Sequence, residues 1–321
     1  AFLSLSTNKS SVYVGEGFTL SLAFYVARTN QAPLQFYDVS DQLRQVIKTF
    51  KPKKCWEENF QIQDIRPESV QLSGKAYDRY LMYQASFFPL TQEDIFIPPV
   101  AMKFIKYKLA RQPSFFGQNR KKAFKTFYTR PRSVEVKALP AHPLRDHVPV
   151  GEYRLKERLS AGEVETGQSF EYHFTIEGEG NISSLKAPQN GNNLPISWYP
   201  PTIEENLERA YGRIYGKKTF SYYGIPKKAG EYMLGDDLSW IFFHPRKEKY
   251  DTLRSGLSLR AFGKNQYDVD IRSHAHEAFY ERAKGKDHEL QVFQGSGLLK
   301  WLSYVGGGLV LVSLGFVFLR G

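Results

Sequence analysis

Apolar side chains alternate with polar ones in two stretches of the chain, and a glycine precedes each stretch by three residues. The glycines are Gly15 and Gly167; the alternating residues are Phe18, Leu20, Leu22 and Phe24 in the first stretch, and Phe170, Tyr172, Phe174 and Ile176 in the second. Successive side chains of a strand point to opposite faces, so this period predicts a half-buried β-strand in each stretch. The matching spacing predicts two copies of one β-rich unit.

The two copies also end alike. In each, a strand-like run is followed by a short polar turn and a second run, at 80–89 and 95–98 in the first copy and at 218–226 and 232–234 in the second. Two runs joined by such a turn are typical of a β-hairpin. Each copy has the size of one immunoglobulin-like domain, about 100 residues. We therefore predict a mainly β protein with tandem immunoglobulin-like β-sandwich domains.

A proline-interrupted stretch at 138–143 marks the boundary between the copies. The predicted organisation is a basic sandwich, a linker, a second sandwich, a polar stalk and a hydrophobic end, at 1–140, 141–149, 150–263, 264–300 and 301–320. Two short helices are also predicted. One covers 40–49, where Leu43, Val46 and Ile47 share a side, and the other covers 273–284 in the stalk.

The hydrophobic end contains 18 residues without a charge, from Leu302 to Leu319. At a rise of about 1.5 Å per residue, a helix of this length nearly crosses a bilayer core of roughly 30 Å. We predict a transmembrane helix anchored by Trp301, Leu302, Tyr304, Leu309, Leu311, Leu314, Phe316, Phe318 and Leu319. A buried C-terminal helix is the alternative. A start at Ala1 is what signal-peptide cleavage would leave, so we expect the bulk of the chain outside the cytosol.

Basic residues concentrate in the first copy. Residues 1–146 contain 22 Lys and Arg against 12 Asp and Glu, whereas residues 147–300 contain 21 of each class. The densest cluster gives a candidate docking patch formed by Arg120, Lys121, Lys122, Lys125, Arg130 and Arg132. Aromatic residues interleave with it, as in grooves that bind single-stranded nucleic acid. A solvated strand face, or docking to anionic lipid or to an acidic protein, explains the pattern better for an exported protein.

The sequence contains no recognisable catalytic motif, and we predict that the protein is not an enzyme. Lysines beside Cys55 could lower its pKa, but no histidine is positioned as a base by any sequence signal. A single cysteine excludes internal disulfides and multi-cysteine metal sites. His274 and His276 are the only metal-like pair, and in a polar stalk we interpret them as solvated. No metal or cofactor is expected.

A series of turn and strand motifs resembles the BatD family, the oxygen-tolerance proteins of Bacteroides aerotolerance-type operons. In the second copy the motifs occur at 150–155, 166–170, 176–182, 242–245 and 249–252. In the first copy, residues 13–16, 55–58 and 138–140 are similar to the preceding β-domain of the family.

The resemblance implies a single-pass protein of the bacterial inner membrane, with its β-domains in the periplasm and no catalytic residues. It implies a scaffold or assembly role with three classes of partner: membrane proteins with a von Willebrand factor A domain, tetratricopeptide-repeat proteins, and a MoxR-type AAA+ ATPase. A carboxylate of Asp236, Asp237 or Glu179 could complete a partner's metal site. The rival hypothesis is an adhesin or polysaccharide-binding module that uses Trp198, Tyr199 or Trp240.

Overall fold

A computed structural model of the chain describes residues 1–109, 120–210 and 212–266. Residues 1–266 form one compact unit, and the description below concerns this unit. The predicted stalk helix, His274, His276 and the predicted anchor at 301–320 lie outside the described residues. Within the described residues, no helix combines the length and the hydrophobicity needed to cross a membrane.

The described part of residues 1–137 contains eleven strands and one helix. They are β1 (Phe2–Thr7), β2 (Ser11–Tyr13), β3 (Phe18–Ala27), β4 (Leu34–Phe36), α1 (Val39–Phe50), β5 (Cys55–Asn59), β6 (Pro67–Leu72), β7 (Lys75–Pro89), β8 (Ile95–Ile97), β9 (Ala101–Leu109), β10 (Arg120–Tyr128) and β11 (Arg132–Lys137). We call this region the first half. It contains a five-stranded sheet, β1-β3-β7-β5 with β6 also on β7, and two three-stranded sheets, β10-β9-β4 and β2-β11-β8.

The second half contains eleven more strands in the described part of residues 150–262. They are β12 (Gly151–Leu159), β13 (Glu163–Glu165), β14 (Phe170–Gly180), β15 (Gln189–Asn190), β16 (Ile196–Trp198), β17 (Thr202–Ala210), β18 (Arg213–Pro226), β19 (Gly230–Met233), β20 (Leu238–His244), β21 (Lys249–Arg254) and β22 (Ser258–Phe262). Their sheets are β12-β14-β18-β16 with β17 on β18, β15-β20-β21 and β13-β22-β19.

Each strand of the first half therefore has a counterpart in the second half, which confirms the predicted repeat. The strand directions also agree, because β2 runs parallel to β11 and β13 runs parallel to β22. Gly15 and Gly167 occupy equivalent turns with φ of 83° and 87°, a region that glycine enters without steric cost. Their amides donate to equivalent carbonyls, Pro89 O at 2.8 Å and Pro226 O at 3.0 Å.

Each half has its own hydrophobic core. The alternating residues singled out in the sequence are all buried, from Phe18 to Phe24 on β3 and from Phe170 to Ile176 on β14. The first core is built by residues between Leu3 and Val136, and the second by residues between Tyr153 and Leu259. The structure is thus mainly β, as predicted. The domain limits and the immunoglobulin-like assignment stay predictions.

Helix α1 distinguishes the two halves. It covers the predicted segment with one more residue at each end, and it buries Val46 and Phe50 against the first core. The equivalent connection in the second half, between β15 and β16, is a short segment without a helix at 191–195. The first half therefore contains a helix that the equivalent connection of the second half lacks, within the same sheet order.

The β17–β18 hairpin contacts the outer surface of the five-stranded sheet in the first half. Thr19 donates its hydroxyl hydrogen to Gly212 O at 2.5 Å. The buried carboxylate of Glu58 accepts hydrogen bonds from the guanidinium of Arg209 at 2.9 Å and from the indole of Trp56 at 3.0 Å. A carboxylate loses solvation when buried, so Glu58 needs these partners to be tolerated there.

The linker and a turn of the first half cover the outer face of the β20–β21 hairpin. Phe243 is fully buried, and its ring lies 4.9 Å from that of Tyr13 between centroids. Tyr250 donates its hydroxyl hydrogen to Pro140 O at 2.7 Å and stacks on the ring of His142 at 4.2 Å. This hairpin is therefore part of the contact between the halves.

Candidate binding face on the first half

Strand β10 presents an aromatic and basic face on the outside of the first half. Side chains alternate along the strand, so Phe127 packs against the core while Phe124 and Tyr128 remain 53% and 71% exposed. The antiparallel register places Ile105 of β9 opposite Phe124 and Lys103 opposite Thr126. These outward residues of β9 and β10, together with Tyr37 after β4, form what we call the β9–β10 face.

Two lysines and two aromatic rings meet at the centre of the β9–β10 face. The Tyr37 and Phe124 rings contact edge to face, with centroids 5.0 Å apart. The Lys103 ammonium lies 5.9 Å from the Tyr37 centroid and 5.5 Å from that of Phe124. The Lys122 ammonium lies 5.7 Å from the Phe124 centroid. Cation–π attraction, worth about 0.5–1 kcal/mol at exposed sites, thus orders cations that would otherwise move freely in solvent.

The side chain of Gln42, on α1, fixes the backbone beneath this cluster. Its amide nitrogen donates to Lys103 O at 3.0 Å, and its amide oxygen accepts from Lys103 N at 2.7 Å. The same amide nitrogen donates to Tyr37 O. Backbone groups at a sheet edge need partners, and here a helical side chain supplies them. Helix α1 therefore positions both Lys103 and Tyr37.

Acidic residues are absent from β9, from β10 and from the sequence between them, although Asp38 directly follows Tyr37. Residues 95–134 contain ten Lys and Arg but neither Asp nor Glu. Among the described residues, no carboxylate forms an ion pair with Lys103, Lys106, Lys122 or Lys125, whereas seven other Lys and Arg side chains of the first half do form one. Unneutralised charges of one sign create a local potential that attracts anionic groups. The face is therefore electrostatically suited to an anionic ligand.

The structure distributes the six residues of the predicted docking patch over different surfaces. Lys122 lies on the β9–β10 face. Lys125 points to the other side of β10, where its ammonium lies 5.4 Å from the Phe127 centroid. The pKa of the Ala1 amino group is lowered, first by the burial of that group and then by the charge of Lys125. Arg132 donates from Nε to Leu5 O at 3.0 Å. Arg130 is exposed beyond the end of the strand, and the side chains of Arg120 and Lys121 lie outside the described residues.

The predicted patch did not include Tyr37 and Lys103, which order the centre of the face, or Gln42, which holds the backbone beneath it. Lys103 could have been found from the alternation in β9, where Met102 and Phe104 face the core and the residue between them must face outward. Tyr37 and Gln42 gave no such signal, because their roles depend on where α1 meets the edge of β9.

Cys55 does not have the properties of a nucleophile. Burial raises the pKa of its thiol to about 11, so the thiol stays protonated at neutral pH. The expected effect of the neighbouring lysines is not found. Lys54 instead pairs with Glu93 at 2.5 Å, and Lys51 pairs with Glu57. Cys55 packs against the first core as a small apolar residue.

The three candidate metal-completing carboxylates differ in accessibility. Asp237 is buried and accepts hydrogen bonds from Asn193 N, Leu194 N and the Trp198 indole, so it holds the 193–198 segment and is not available to a partner. Glu179 is paired with Arg213 at 3.4 Å. Asp236 is exposed. Within the described residues, no cluster of three or more metal-binding side chains occurs.

A polar cleft of about 680 Å³ lies beside β12, β14 and β18. Most of its carboxylates are paired with cations: Glu152 with Arg246, Glu177 with Arg154 and Lys156, Glu179 with Arg213, and Asp251 with Lys247. Glu208 and Lys217, which also line the cleft, carry opposite charges. Burial alone would raise the pKa of Glu177, but Lys156 and Arg154 hold that pKa below its ordinary value. With its charges paired internally, the cleft offers a ligand little unbalanced charge. The β9–β10 face is the better candidate site.

The comparisons with known proteins concern the second half. Residues 157–252 match the family model of the BatD DUF11-like domain. The matched segment begins in β12 and ends in β21, so it includes nearly all strands of the second half. The resemblance to BatD is confirmed over these residues; for the first half it stays a prediction. No curated protein sequence matches the chain.

Proposed function

We propose that this protein is a non-enzymatic scaffold or assembly factor of a Bat/MoxR-type system linked to oxygen or stress tolerance. In this proposal the two β-sandwiches lie in the periplasm, and the segment 301–320 anchors them in the bacterial inner membrane. Its partners are von Willebrand factor A-domain membrane proteins, tetratricopeptide-repeat proteins and a MoxR-type ATPase. The observation on which the proposal depends most is the match of residues 157–252 to the BatD domain.

The described surface supports a role in binding proteins. The β9–β10 face combines exposed aromatic rings with ordered lysines that form no ion pair among the described residues. Aromatic residues are enriched at protein interfaces, and unpaired lysines attract an acidic partner. Membrane lipid would be the second contact, made through the predicted anchor.

The rival hypothesis of polysaccharide binding is less well supported. Trp240 is buried in the second core and donates its indole hydrogen to Lys186 O at 3.1 Å. Trp198 packs edge to face on Phe170 and donates to Asp237. Both indoles therefore serve packing, and only Tyr199 of the three proposed residues is substantially exposed.

Affinity capture tests the proposed function. The full chain, carrying an affinity tag, is extracted in mild detergent from the membranes of its native bacterium after brief chemical cross-linking, and captured proteins are identified by mass spectrometry. An unrelated single-pass membrane protein with the same tag is the control. We expect proteins with von Willebrand factor A domains and a MoxR-type ATPase in excess over the control. Recovery of polysaccharide with no protein above the control would contradict the proposal.

Membrane attachment has a separate test. The full chain and a form ending at Gln266, the last described residue, are expressed with the same export signal and fractionated. We expect the full chain to remain in membranes after alkaline carbonate extraction and the shortened form to be released. Release of both forms would contradict the proposed anchor.

A further inference from the structure

The hairpins β9–β10 and β20–β21 can be aligned residue by residue through their hydrogen bonds. Thr129 N donates to Val100 O at 2.8 Å in the first half, and Ser255 N donates to Leu238 O at 3.3 Å in the second. Five residues inward along each strand, Ile105 pairs with Phe124, and Phe243 pairs with Tyr250. These two outward pairs are therefore equivalent positions of the repeat.

The two equivalent pairs have different surroundings. In the second half, residues of the linker region and Tyr13 lie over Phe243 and Tyr250. In the first half, Ile105 is buried, but Phe124 remains half exposed, and its ring and cation contacts come from Tyr37 and the two lysines. The repeat thus shows, within one chain, that this face of the sandwich can receive another segment of polypeptide.

The outer edge of β10 can also pair with an added strand. Because Thr129 N points to β9, alternation directs the backbone N–H and C=O groups of Lys122, Phe124, Thr126 and Tyr128 away from β9. The hydrogen bonds between the backbone of Lys103 and the side chain of Gln42 agree with this register, because the register directs the N–H and C=O groups of Lys103 away from β10. No described strand pairs with this outer edge. Unpaired edge groups are a template for strand addition.

Charge selects the chemistry of the added strand. The same residues that offer free backbone groups place their side chains on the β9–β10 face, beside Lys103 and Lys122, and residues 95–134 include no Asp or Glu. In an added strand, alternate side chains would lie on this face. Carboxylates at those positions would meet ammonium groups that have no other ionic partner among the described residues.

We propose that β10 binds an extended, acidic segment of a partner protein, which adds to the sheet as a strand and directs alternate Asp or Glu side chains onto the β9–β10 face. The inference rests on the proposed function and specifies one site of partner binding. It differs from simple charge attraction because it requires backbone hydrogen bonds as well as carboxylates.

The test uses a fluorescent nine-residue peptide, the length of β10, in which glutamate and valine alternate. Its binding to the full chain in detergent is followed by anisotropy. A peptide with lysine in place of glutamate tests charge, and peptides N-methylated at every second residue, prepared in both registers, test the backbone bonds. The variant Lys103→Glu/Lys122→Glu changes the face. The matched control, Lys249→Glu/Arg254→Glu, makes the same charge change on β21.

We expect the acidic peptide to bind and the lysine peptide not to bind. The face variant should weaken binding at least about tenfold, and the control variant less than about twofold, because only the former removes the facing charges. N-methylation in one register should weaken binding by about tenfold through the loss of backbone donors. Urea unfolding of both variants checks that each remains folded.

Three results would overturn the inference. The first is equal affinity of the face variant and the control variant for the acidic peptide. The second is undiminished binding of both N-methylated peptides. The third is binding of phosphatidylglycerol vesicles by a protein that does not bind the acidic peptide. The last result would assign the face to lipid. If the peptide fails but membrane capture still returns partner proteins, only this inference fails. If the peptide binds but capture returns no protein, the proposed function fails.

Discussion

The two halves of the described chain have the same sheet order and differ in what covers one hairpin. In the second half, the linker and Tyr13 cover the outward pair Phe243 and Tyr250. In the first half, the equivalent pair Ile105 and Phe124 carries lysines on its exposed side. The strands of the covered hairpin contain the acid Asp251, whereas those of the open hairpin contain no acid.

The comparison shows that the two copies share their core positions but differ at the outward positions that contact other segments. Core positions are filled equivalently in both halves because the two sheets of a sandwich must bury one face each. The outward positions of the hairpin are free to differ, and one copy uses them to bind its neighbour in the chain. This difference gives the predictions that follow, in which matched changes are made in the two halves.

Alkaline pH is expected to have the largest effect, and to act mainly on the second half. Burial raises the pKa of Tyr153, Tyr172 and Tyr222 above the ordinary value of 10.0, and in the first half it does the same for Tyr83, which Glu57 also affects. The folded state then holds protons that the unfolded state releases. Stability is therefore fully present below pH 10 and falls as pH rises above it.

The measurement is urea unfolding at several pH values on either side of pH 10, followed by tryptophan fluorescence. In a variant with Trp56→Phe and Trp301→Phe, the signal comes from Trp198 and Trp240 in the second half. We expect the urea midpoint to fall steeply with pH, and Tyr83→Phe to reduce that slope by less than half, because the three tyrosines of the second half remain. A urea midpoint that does not change with pH through this range would contradict the raised pKa of these tyrosines.

Removing Phe243 is expected to cost more than removing its counterpart. Phe243→Ala deletes a fully buried ring at the contact between the halves, with an expected loss of about 3–5 kcal/mol in the free energy of unfolding. Ile105→Ala deletes a smaller side chain, which is buried but does not belong to the first core, with an expected loss of about 2 kcal/mol. Urea unfolding of both variants measures the difference. Equal losses would mean that the linker contact does not distinguish the hairpins.

The buried ion pair between the halves is expected to have an intermediate effect. Glu58→Ala leaves Arg209 and the Trp56 indole without their carboxylate, at a cost of about 2 kcal/mol. The control is Glu68→Ala, which breaks an exposed pair with Arg79 and should cost less than about 1 kcal/mol. Urea unfolding again gives both values. A loss for Glu58→Ala no larger than that of the control would show that the pair does not hold the halves together.

Much of the fold could be predicted from the sequence because strands and turns depend on local patterns. The alternation after Gly15 and Gly167 identified β3 and β14, and the runs at 80–98 and 218–234 identified the strands β7, β8, β18 and β19. The hairpins predicted from those runs were wrong, because β8 pairs with β11 and β19 pairs with β22, each in a different sheet from the strand before it. The apolar spacing of Leu43, Val46 and Ile47 identified α1. In each case the pattern and the strand or helix that it predicts involve residues close together in the sequence.

The site could be predicted only in part because it depends on contacts between distant residues. A run of cations suggested one patch, but the alternation of β10 sends Lys122 and Lys125 to opposite sides. The contact of Gln42 with Lys103 joins residues 61 positions apart, which no local pattern specifies. Likewise, the lysines near Cys55 indicated a lowered pKa, and only the three-dimensional burial showed a raised one.

Changing the exposed ring of the open hairpin is expected to have the smallest effect on stability. Phe124→Ser removes a half-exposed side chain and its cation–π contacts, so the free energy of unfolding should fall by less than about 1 kcal/mol. Tyr250→Ser, at the equivalent position, also removes the bond to Pro140 O and the stacking on His142, and should cost about 1–3 kcal/mol. Urea unfolding compares the two. If Phe124→Ser proved as costly as Tyr250→Ser, Phe124 would be a structural residue, and the β9–β10 face would lose its distinction from the covered hairpin.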